Sequence, residues 1–176
     1  MANFPTLSRK SDYEQDESIE DDAVIRSKME AGYMVSRPRY TRSRKNFGTV
    51  KYDNLTDTDK DTLMYFEKVT LSNGALSFDW QNPAEAYSGR KWIASTAYTL
   101  GAVVRPITTN GRSYKCTVAG TSGSSQPSWP VTKNGTVADG GVTWTENTYT
   151  VFLDGPIKYS DKSFGYWKAN IKIIEV

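Results

Sequence analysis

One stretch of the sequence, residues 92–147, constrains the fold most because it interrupts what is otherwise a single domain. Before it the chain has a strand-like LSFDW and the turn signal QNP, and after it the strand-like TYTVFLDG begins. The stretch is rich in Gly, Thr and Ser and carries three of the five tryptophans. We therefore predict a discontinuous host domain, residues 1–91 and 148–176, and a small all-β insert, residues 92–147.

Composition limits the kinds of site that the chain can build. It contains no histidine and one cysteine, Cys116, which excludes an internal disulfide, an ordinary Cys/His zinc site and a Ser-His-Asp triad. Asp139 and Glu146 flank an aromatic strand, but nothing in the sequence places them across a cleft as a glycosidase pair. We predict no enzymatic activity, no cofactor and no metal.

Charge and hydropathy bear on the partners and the location. The formal net charge of +2 is too small to favour nucleic acid or an anionic membrane as the main partner. No apolar run approaches the roughly 20 residues that span a bilayer, and the start of the chain lacks the apolar core of a signal peptide. We expect no membrane insertion and assembly in a cytoplasm.

Two clusters of opposite charge lie close together near the start of the chain. Seven acidic residues stand between Asp12 and Asp22, and both a solvated mobile arm and an arm that docks on a neighbour remain open. From Gly32, GYMVSRPRYTRSRKNFGTVKY predicts two strands with cations around their connection. We expect these clusters to meet, within or between subunits, through Asp12, Glu14, Asp16, Glu17, Glu20, Arg37, Arg39, Arg42 and Arg44.

The strongest local signal predicts a helix from about Asp57 to Val69. Thr56 is a favourable N-cap, and Asp59 stands three residues later, where a capping box places its acceptor. The segment SNG then ends the helical pattern. The apolar stripe is narrow, so we expect one side of the helix to cover a sheet.

Strand patterns surround this helix. FPTLS predicts an edge strand, since Pro5 has no N–H to give to a ladder. Three other segments alternate like strands buried on one face, at Leu76, Phe78 and Trp80; at Tyr149, Val151 and Leu153; and at Trp167, Ala169, Ile171 and Ile173. The host domain is predicted to be mainly β, an antiparallel sheet or barrel of about six strands with one covering α-helix.

Three host segments resemble the minor tail protein M family of lambda-like long-tailed bacteriophages. They are EAGYMVSRPRYTRSRKNF, YDNLTDTDKDTLMYFEKVTLSNGALSFDWQNP and TYTVFLDGPIKYSDKSFGYWKANIKIIEV, in that order. They are spread along the predicted host domain, which makes up about two thirds of the chain. The insert and the acidic arm depart from the short members of the family, so the resemblance implies nothing about their roles.

The resemblance implies a tail-tube-like host domain and a structural protein of the virion tail. Such a protein forms a homo-oligomeric ring, expected to be a hexamer, that joins the tail tube to the tail tip. Its implied partners are copies of itself, the tail tube protein and the tail-tip hub proteins. DNA passing through the tail lumen is the only nucleic acid expected near it.

The insert resembles, more loosely, small modules of phage tail proteins and chitin-binding-type carbohydrate modules. The resemblance rests on Trp92, Tyr98, Gly101, Val103, Tyr114 and Cys116, followed by AGTSGSSQPSWP and DGGVTW. Exposed aromatic rings stack on sugars, so an alternative function is adhesion to a host envelope glycan. Its candidate residues are Trp92, Tyr98, Tyr114, Trp129 and Trp144. The same rings can instead form the core of so small a module, and both interpretations stay open.

The proposed insertion makes a prediction about folding. Replacement of residues 92–147 by a short Gly/Ser linker should leave the host domain folded, since loop closure changes by only about 0.6 kcal/mol per doubling of loop length. Circular dichroism should show a cooperative thermal transition in the shortened chain. Loss of that transition would show that the insert and the host domain share one core.

Overall fold

The computed structural model describes residues 1–12, 18–19, 24–30, 32–39 and 44–176. Within these ranges the chain is mainly β, with several antiparallel sheets. Helix α1 is Asp57–Tyr65, it continues as a π-helical segment at Phe66–Thr70, and a second π-helical segment is Ala84–Ser88. The strands before the insert are β1 Ala2–Asn3, β2 Ser18–Ile19, β3 Val24–Lys28, β4 Met34–Pro38, β5 Lys45–Leu55 and β6 Phe78–Trp80. Those in the insert are β7 Ala97–Tyr98, β8 Val103–Val104, β9 Tyr114–Val118, β10 Gly120–Thr121, β11 Thr136–Asp139 and β12 Val142–Glu146, and those after it are β13 Tyr149–Leu153, β14 Lys158–Ser163 and β15 Tyr166–Glu175.

Seven strands form the main sheet, in the order β1-β6-β13-β15-β5-β2, with β14 also paired to β15. Every pair is antiparallel except β1 with β6. The end strands β1 and β2 have two residues each and do not pair with one another in the part of the chain that the structure describes. The sheet is therefore open, and the barrel that the sequence left as an option is not closed.

The core of the main sheet lies between its inner face and α1. The predicted face of β15 is confirmed, since Ala169, Ile171 and Ile173 are buried and Trp167 is partly buried. Helix α1 and its extension add Leu63 and Phe66 to the same cluster. Register explains the alternation: Ile171 lies opposite Val50 of β5, so the inward side chains of the two longest strands meet.

The strand predicted at Leu76, Phe78 and Trp80 is confirmed at Phe78 and Trp80, which are buried in β6, and was wrong at Leu76; the bounds predicted for the first strand were also wrong. Leu76 is 52% exposed and precedes β6, because Ser72, Asn73 and Gly74 have positive φ and form a turn that the Leu76 N–H closes on Leu71 O at 3.1 Å. The first strand is Ala2–Asn3 and not FPTLS. The Phe4 N–H still bonds to Asp79 O at 2.9 Å, but Pro5 has no N–H and the ladder ends there.

The basic segment pairs differently from the expectation. Strand β4 pairs with β3 as a separate hairpin, from Val24 opposite Pro38 to Lys28 opposite Met34. Strand β5 joins the main sheet instead, and Ser18–Ile19, within the acidic stretch, pairs with its first residues. The hairpin was missed because its first strand follows the acidic run directly and has only two apolar residues, Val24 and Ile25.

The insert has its own sheets and its own hydrophobic cluster. Strands β11-β12-β9-β8 form a four-stranded antiparallel sheet, and β7 pairs with β10. The buried cluster consists of Trp92, Tyr98, Val104, Tyr114, Cys116, Val142 and Trp144. It shares no residue with the cluster under the main sheet. The division of the chain into two domains remains a prediction.

The start of α1 has the predicted capping box, with the Asp59 N–H bonded to Thr56 Oγ1 at 3.2 Å and the Thr56 N–H bonded to Asp59 Oδ2 at 3.2 Å. Ser8, far away in sequence, also donates its N–H to Asp59 Oδ1 at 2.9 Å and its hydroxyl to Oδ2. Burial raises the pKa of Asp59, but the bonds from Ser8 and Thr56 outweigh it and hold the pKa below its ordinary value. This carboxylate therefore caps the helix and attaches the N-terminal segment to it.

Asp59→Asn should lower the free energy of unfolding by about 1–2 kcal/mol at neutral pH, because an amide cannot accept all of these bonds. Because the pKa of Asp59 is lowered in the folded protein, its carboxylate stabilises the fold at pH values above 3.8, its ordinary pKa. This stabilisation is lost as the pH falls through the pKa of the folded state. The difference between wild type and variant should therefore shrink in acid, as measured by urea unfolding. Asp61→Asn, at an exposed position of the same helix, is the control. Equal losses in both variants would contradict this role.

Candidate functional site

The carboxylate of Asp139 lies at the centre of the insert, at the end of β11. It is buried, and its Oδ2 accepts bonds from the indole N–H of Trp92 at 2.7 Å and of Trp144 at 2.9 Å. Its Oδ1 accepts the backbone N–H of Gly123 at 2.8 Å. Asp139 therefore connects three parts of the insert that are distant in sequence.

Glycines allow the backbone at Gly123 to come this close to the Asp139 carboxylate. Asp139 lies opposite Val142, so Gly140 and Gly141 form a two-residue hairpin turn. Gly140 has φ of +62°, and a Cβ there would meet Thr121 O at 2.7 Å. A Cβ on Gly120 would meet Gly141 O at 2.3 Å. The segment from Gly120 to Gly123 can therefore lie directly on the turn and bring its N–H to the carboxylate.

The five aromatic residues proposed for glycan stacking lie together, but mostly in the core. Trp92, Tyr98, Tyr114 and Trp144 are at most 4% exposed. The ring centroids of Tyr98 and Trp144 lie 4.9 Å apart, in edge-to-face geometry. Sugar stacking needs an open ring face, so these four rings lack its geometric basis. Trp129 is partly buried and packs 4.3 Å from Tyr114, centroid to centroid.

The polar atoms of the buried residues are also bonded internally. Tyr114 Oη donates to Pro130 O at 2.8 Å and accepts from Asn110 Nδ2 at 2.7 Å, while Tyr98 Oη accepts the Ile93 N–H at 2.9 Å. Burial raises the pKa of the Tyr114 hydroxyl, which keeps it a donor. Burial likewise raises the pKa of the Cys116 thiol, which donates to Val118 O at 3.2 Å. These side chains stabilise the insert from within.

Two further carboxylates, those of Glu85 and Glu146, join the insert to the rest of the chain. Glu146 is buried and accepts bonds from Gln81, Arg112 and Thr148, with Arg112 as its ion-pair partner. Glu85 accepts from Ser113 Oγ at 2.9 Å, Asn147 Nδ2 at 2.8 Å and Tyr149 Oη at 2.8 Å. Like Asp139, Glu146 is surrounded by donors and does not face a cleft. The absence of enzymatic activity remains a prediction.

A cavity of about 440 Å³ lies between the N-terminal segment, the main sheet and the insert. Its cations are Arg9, Lys10 and Arg112. Arg112 pairs with Glu146, and Lys10 Nζ lies 3.8 Å from the centroid of the Tyr87 ring. Two of the three cations are therefore engaged by the protein itself.

Only some of the proposed charge contacts can be located. Glu14, Asp16, Glu17, Glu20 and Arg42 lie outside the described residues. Asp12 is exposed, and its backbone N–H bonds to Lys51 O at 2.8 Å. Arg37 and Arg39 are exposed on and beside β4, and Arg44 immediately precedes β5. The contact between the acidic and the basic cluster stays a prediction.

The β3–β4 hairpin is the most exposed element among the described residues. Every residue of β4 is exposed. Its tip carries large apolar side chains, with Tyr33 60%, Met34 58% and Val35 47% exposed. Arg26, Lys28 and Arg37 add positive charge along the ribbon. An apolar and cationic projection of this kind is typical of an interaction surface, and the sequence analysis identified only its charges.

Comparison with protein-family models, curated proteins and solved structures found no match to this chain. Across the residues that the structure describes, no group of His, Cys, Asp or Glu side chains is arranged to hold a metal ion. In the same residues no helix has the length and apolar character needed to cross a membrane.

The Asp139 network makes a second prediction. Asp139→Asn places an amide NH₂ against a donor in either orientation, so it should lower the free energy of unfolding by about 2–3 kcal/mol. The loss should be smaller in a Trp92→Phe background, which lacks one donor, with a coupling of about 1 kcal/mol. Circular dichroism during denaturant unfolding measures the free energy of unfolding of the wild type, the two single variants and the double variant. An Asp139→Asn protein as stable as wild type would contradict the role of the carboxylate.

Proposed function

We propose that this chain is a structural protein that assembles with copies of itself, as a ring-forming subunit of a bacteriophage tail that joins the tail tube to the tail tip. The sequence resemblance to the minor tail protein M family supports the setting. The observation that carries the assembly is the exposed β3–β4 hairpin. Copies of itself, the tail tube protein and the tail-tip hub proteins are its proposed partners, and the virion tail is its proposed location.

The hairpin needs a partner for a physical reason. A two-stranded ribbon is at best marginally stable in water by itself, and an exposed edge invites further pairing. Here Tyr33, Met34 and Val35 are three consecutive exposed apolar residues at its tip. Packing against a neighbouring surface buries these apolar side chains and thereby stabilises the hairpin.

A suitable counterpart lies on the helix of a second copy. Tyr65 and Val69 are exposed on the outer side of α1 and its extension. Asp61 is exposed one turn before Tyr65 and provides negative charge for the cations of the hairpin. Contact between two different surfaces is head-to-tail, and it gives a ring where the rotation between copies closes and an open filament where it does not. A hexamer is the copy number that the family resemblance implies.

Glycan adhesion through the insert has weaker support. Of its five candidate rings, Trp92, Tyr98, Tyr114 and Trp144 are in the core, and Trp129 keeps only part of its surface open. A single partly open ring offers one stacking contact and no platform. We therefore propose a structural function first.

Assembly through the hairpin can be tested directly. The triple variant Tyr33→Ser, Met34→Ser and Val35→Ser should weaken self-association at least about tenfold, because three apolar side chains no longer contribute burial. Sedimentation velocity over a concentration series measures the association. Circular dichroism should show an unchanged thermal transition, since the replaced side chains are exposed.

Leu100→Ser is the matched control, since Leu100 is an exposed leucine in the insert. It should leave self-association unchanged. A wild-type protein that stays monomeric at high concentration contradicts the proposal. So does a triple variant that associates as strongly as the wild type.

A further inference from the structure

The outer face of the main sheet carries a second cavity, with a volume of about 460 Å³. Three strands and the turn after β13 form it. Its lining residues are Thr49 and Lys51 of β5, Asp154, Gly155 and Pro156 of the turn, Lys158 of β14, and Asn170 and Lys172 of β15. The hairpin of the proposed function is not part of this cavity.

Strand register brings the three lysines together. Asn170 lies opposite Lys51 on one side and opposite Lys158 on the other. Neighbouring strands are about 4.8 Å apart, so the backbones of Lys51 and Lys158 are separated by roughly 10 Å across Asn170. Lys172 follows Asn170 by two residues and therefore points to the same face. One ligand is within reach of all three ammonium groups.

These lysines differ from other lysines of the same sheet. Lys162 Nζ and Lys168 Nζ both pair with Asp53 Oδ2, at 3.2 and 3.7 Å. Among the described residues, no carboxylate forms an ion pair with Lys51, Lys158 or Lys172.

Among the described residues, the charge at the cavity is therefore unbalanced. Asp154 is the one acidic residue of the described lining, against three lysines. Like charges on adjacent strands repel one another, so an anion bound among them relieves the repulsion.

The lining also selects the kind of anion. Ammonium groups are strong point-charge partners of phosphate, and a Thr hydroxyl and an Asn amide add neutral donors. The apolar part of the described lining is Gly155 and Pro156, and this part of the chain places no aromatic ring there on which a nucleobase stacks. The volume is in the range of small-molecule sites and leaves room for several linked phosphate groups.

We propose that this cavity binds a linear oligophosphate anion through Lys51, Lys158 and Lys172, with Thr49 and Asn170 as neutral donors. Phosphate groups also occur in a nucleic-acid backbone, which shares the charge chemistry. A backbone carries bases that this lining does not hold, so the smaller anion fits the cavity better.

Isothermal titration of the full chain with sodium tripolyphosphate at low ionic strength tests the site. The wild type should bind, and added salt should weaken binding by screening. Lys51→Gln with Lys172→Gln should reduce the affinity at least about tenfold. Lys162→Gln with Lys168→Gln removes the same charge from the same sheet and should change the affinity less than about twofold.

Three results would overturn the proposal. The first is no heat of binding with tripolyphosphate, and the second is an equal loss of affinity in both double variants, which indicates a general effect of net charge. The third is binding of a short oligothymidylate without binding of tripolyphosphate, which assigns the face to a nucleic-acid backbone. The hairpin triple variant should bind tripolyphosphate like the wild type, so this site and self-association can fail separately.

Discussion

A carboxylate away from water must be surrounded by hydrogen-bond donors, and the insert is arranged around one such group, Asp139. Burial of an unpaired charge is prohibitively unfavourable, so its two indole donors and one backbone donor are a condition for folding and not an addition to it. This requirement fixes the orientation of Trp92 and Trp144. It also explains how a short segment without a disulfide has one defined core, since few aliphatic residues are available to form it.

Carboxylates surrounded by hydrogen-bond donors are also found where the insert meets the main sheet. Glu85 and Glu146 each accept bonds from both sides of the boundary, from Ser113 and Arg112 in the insert and from Tyr149 and Gln81 outside it. Hydrogen bonds to carboxylates are stronger and more directional than apolar contacts. The two hydrophobic clusters are therefore joined by a polar layer, which separates their packing while restricting how one lies on the other.

The features that follow from neighbouring residues were predictable, and those that depend on register were not. A capping box needs only Thr56 and Asp59, so the start of α1 was predicted correctly, but the added donors from Ser8 come from far away in sequence. Alternation predicted the buried face of β15, whereas Leu76 matched a strand pattern and lies in a turn. The grouping of Lys51, Lys158 and Lys172 exists only once three strands are paired. For Trp92 and Trp144, the sequence offered both a sugar platform and a core, because both uses need the same residues.

The position of Cys116 has a practical consequence. It is the chain's single thiol, it lies in the aromatic cluster of the insert, and its pKa is raised by burial. A thiol reagent reaches it only when that cluster opens, and reaction then requires the thiolate. The rate of alkylation therefore reports how often that cluster opens, by local or by global unfolding. Cys116 is thus a built-in probe of the insert's core, and no residue has to be replaced to use it.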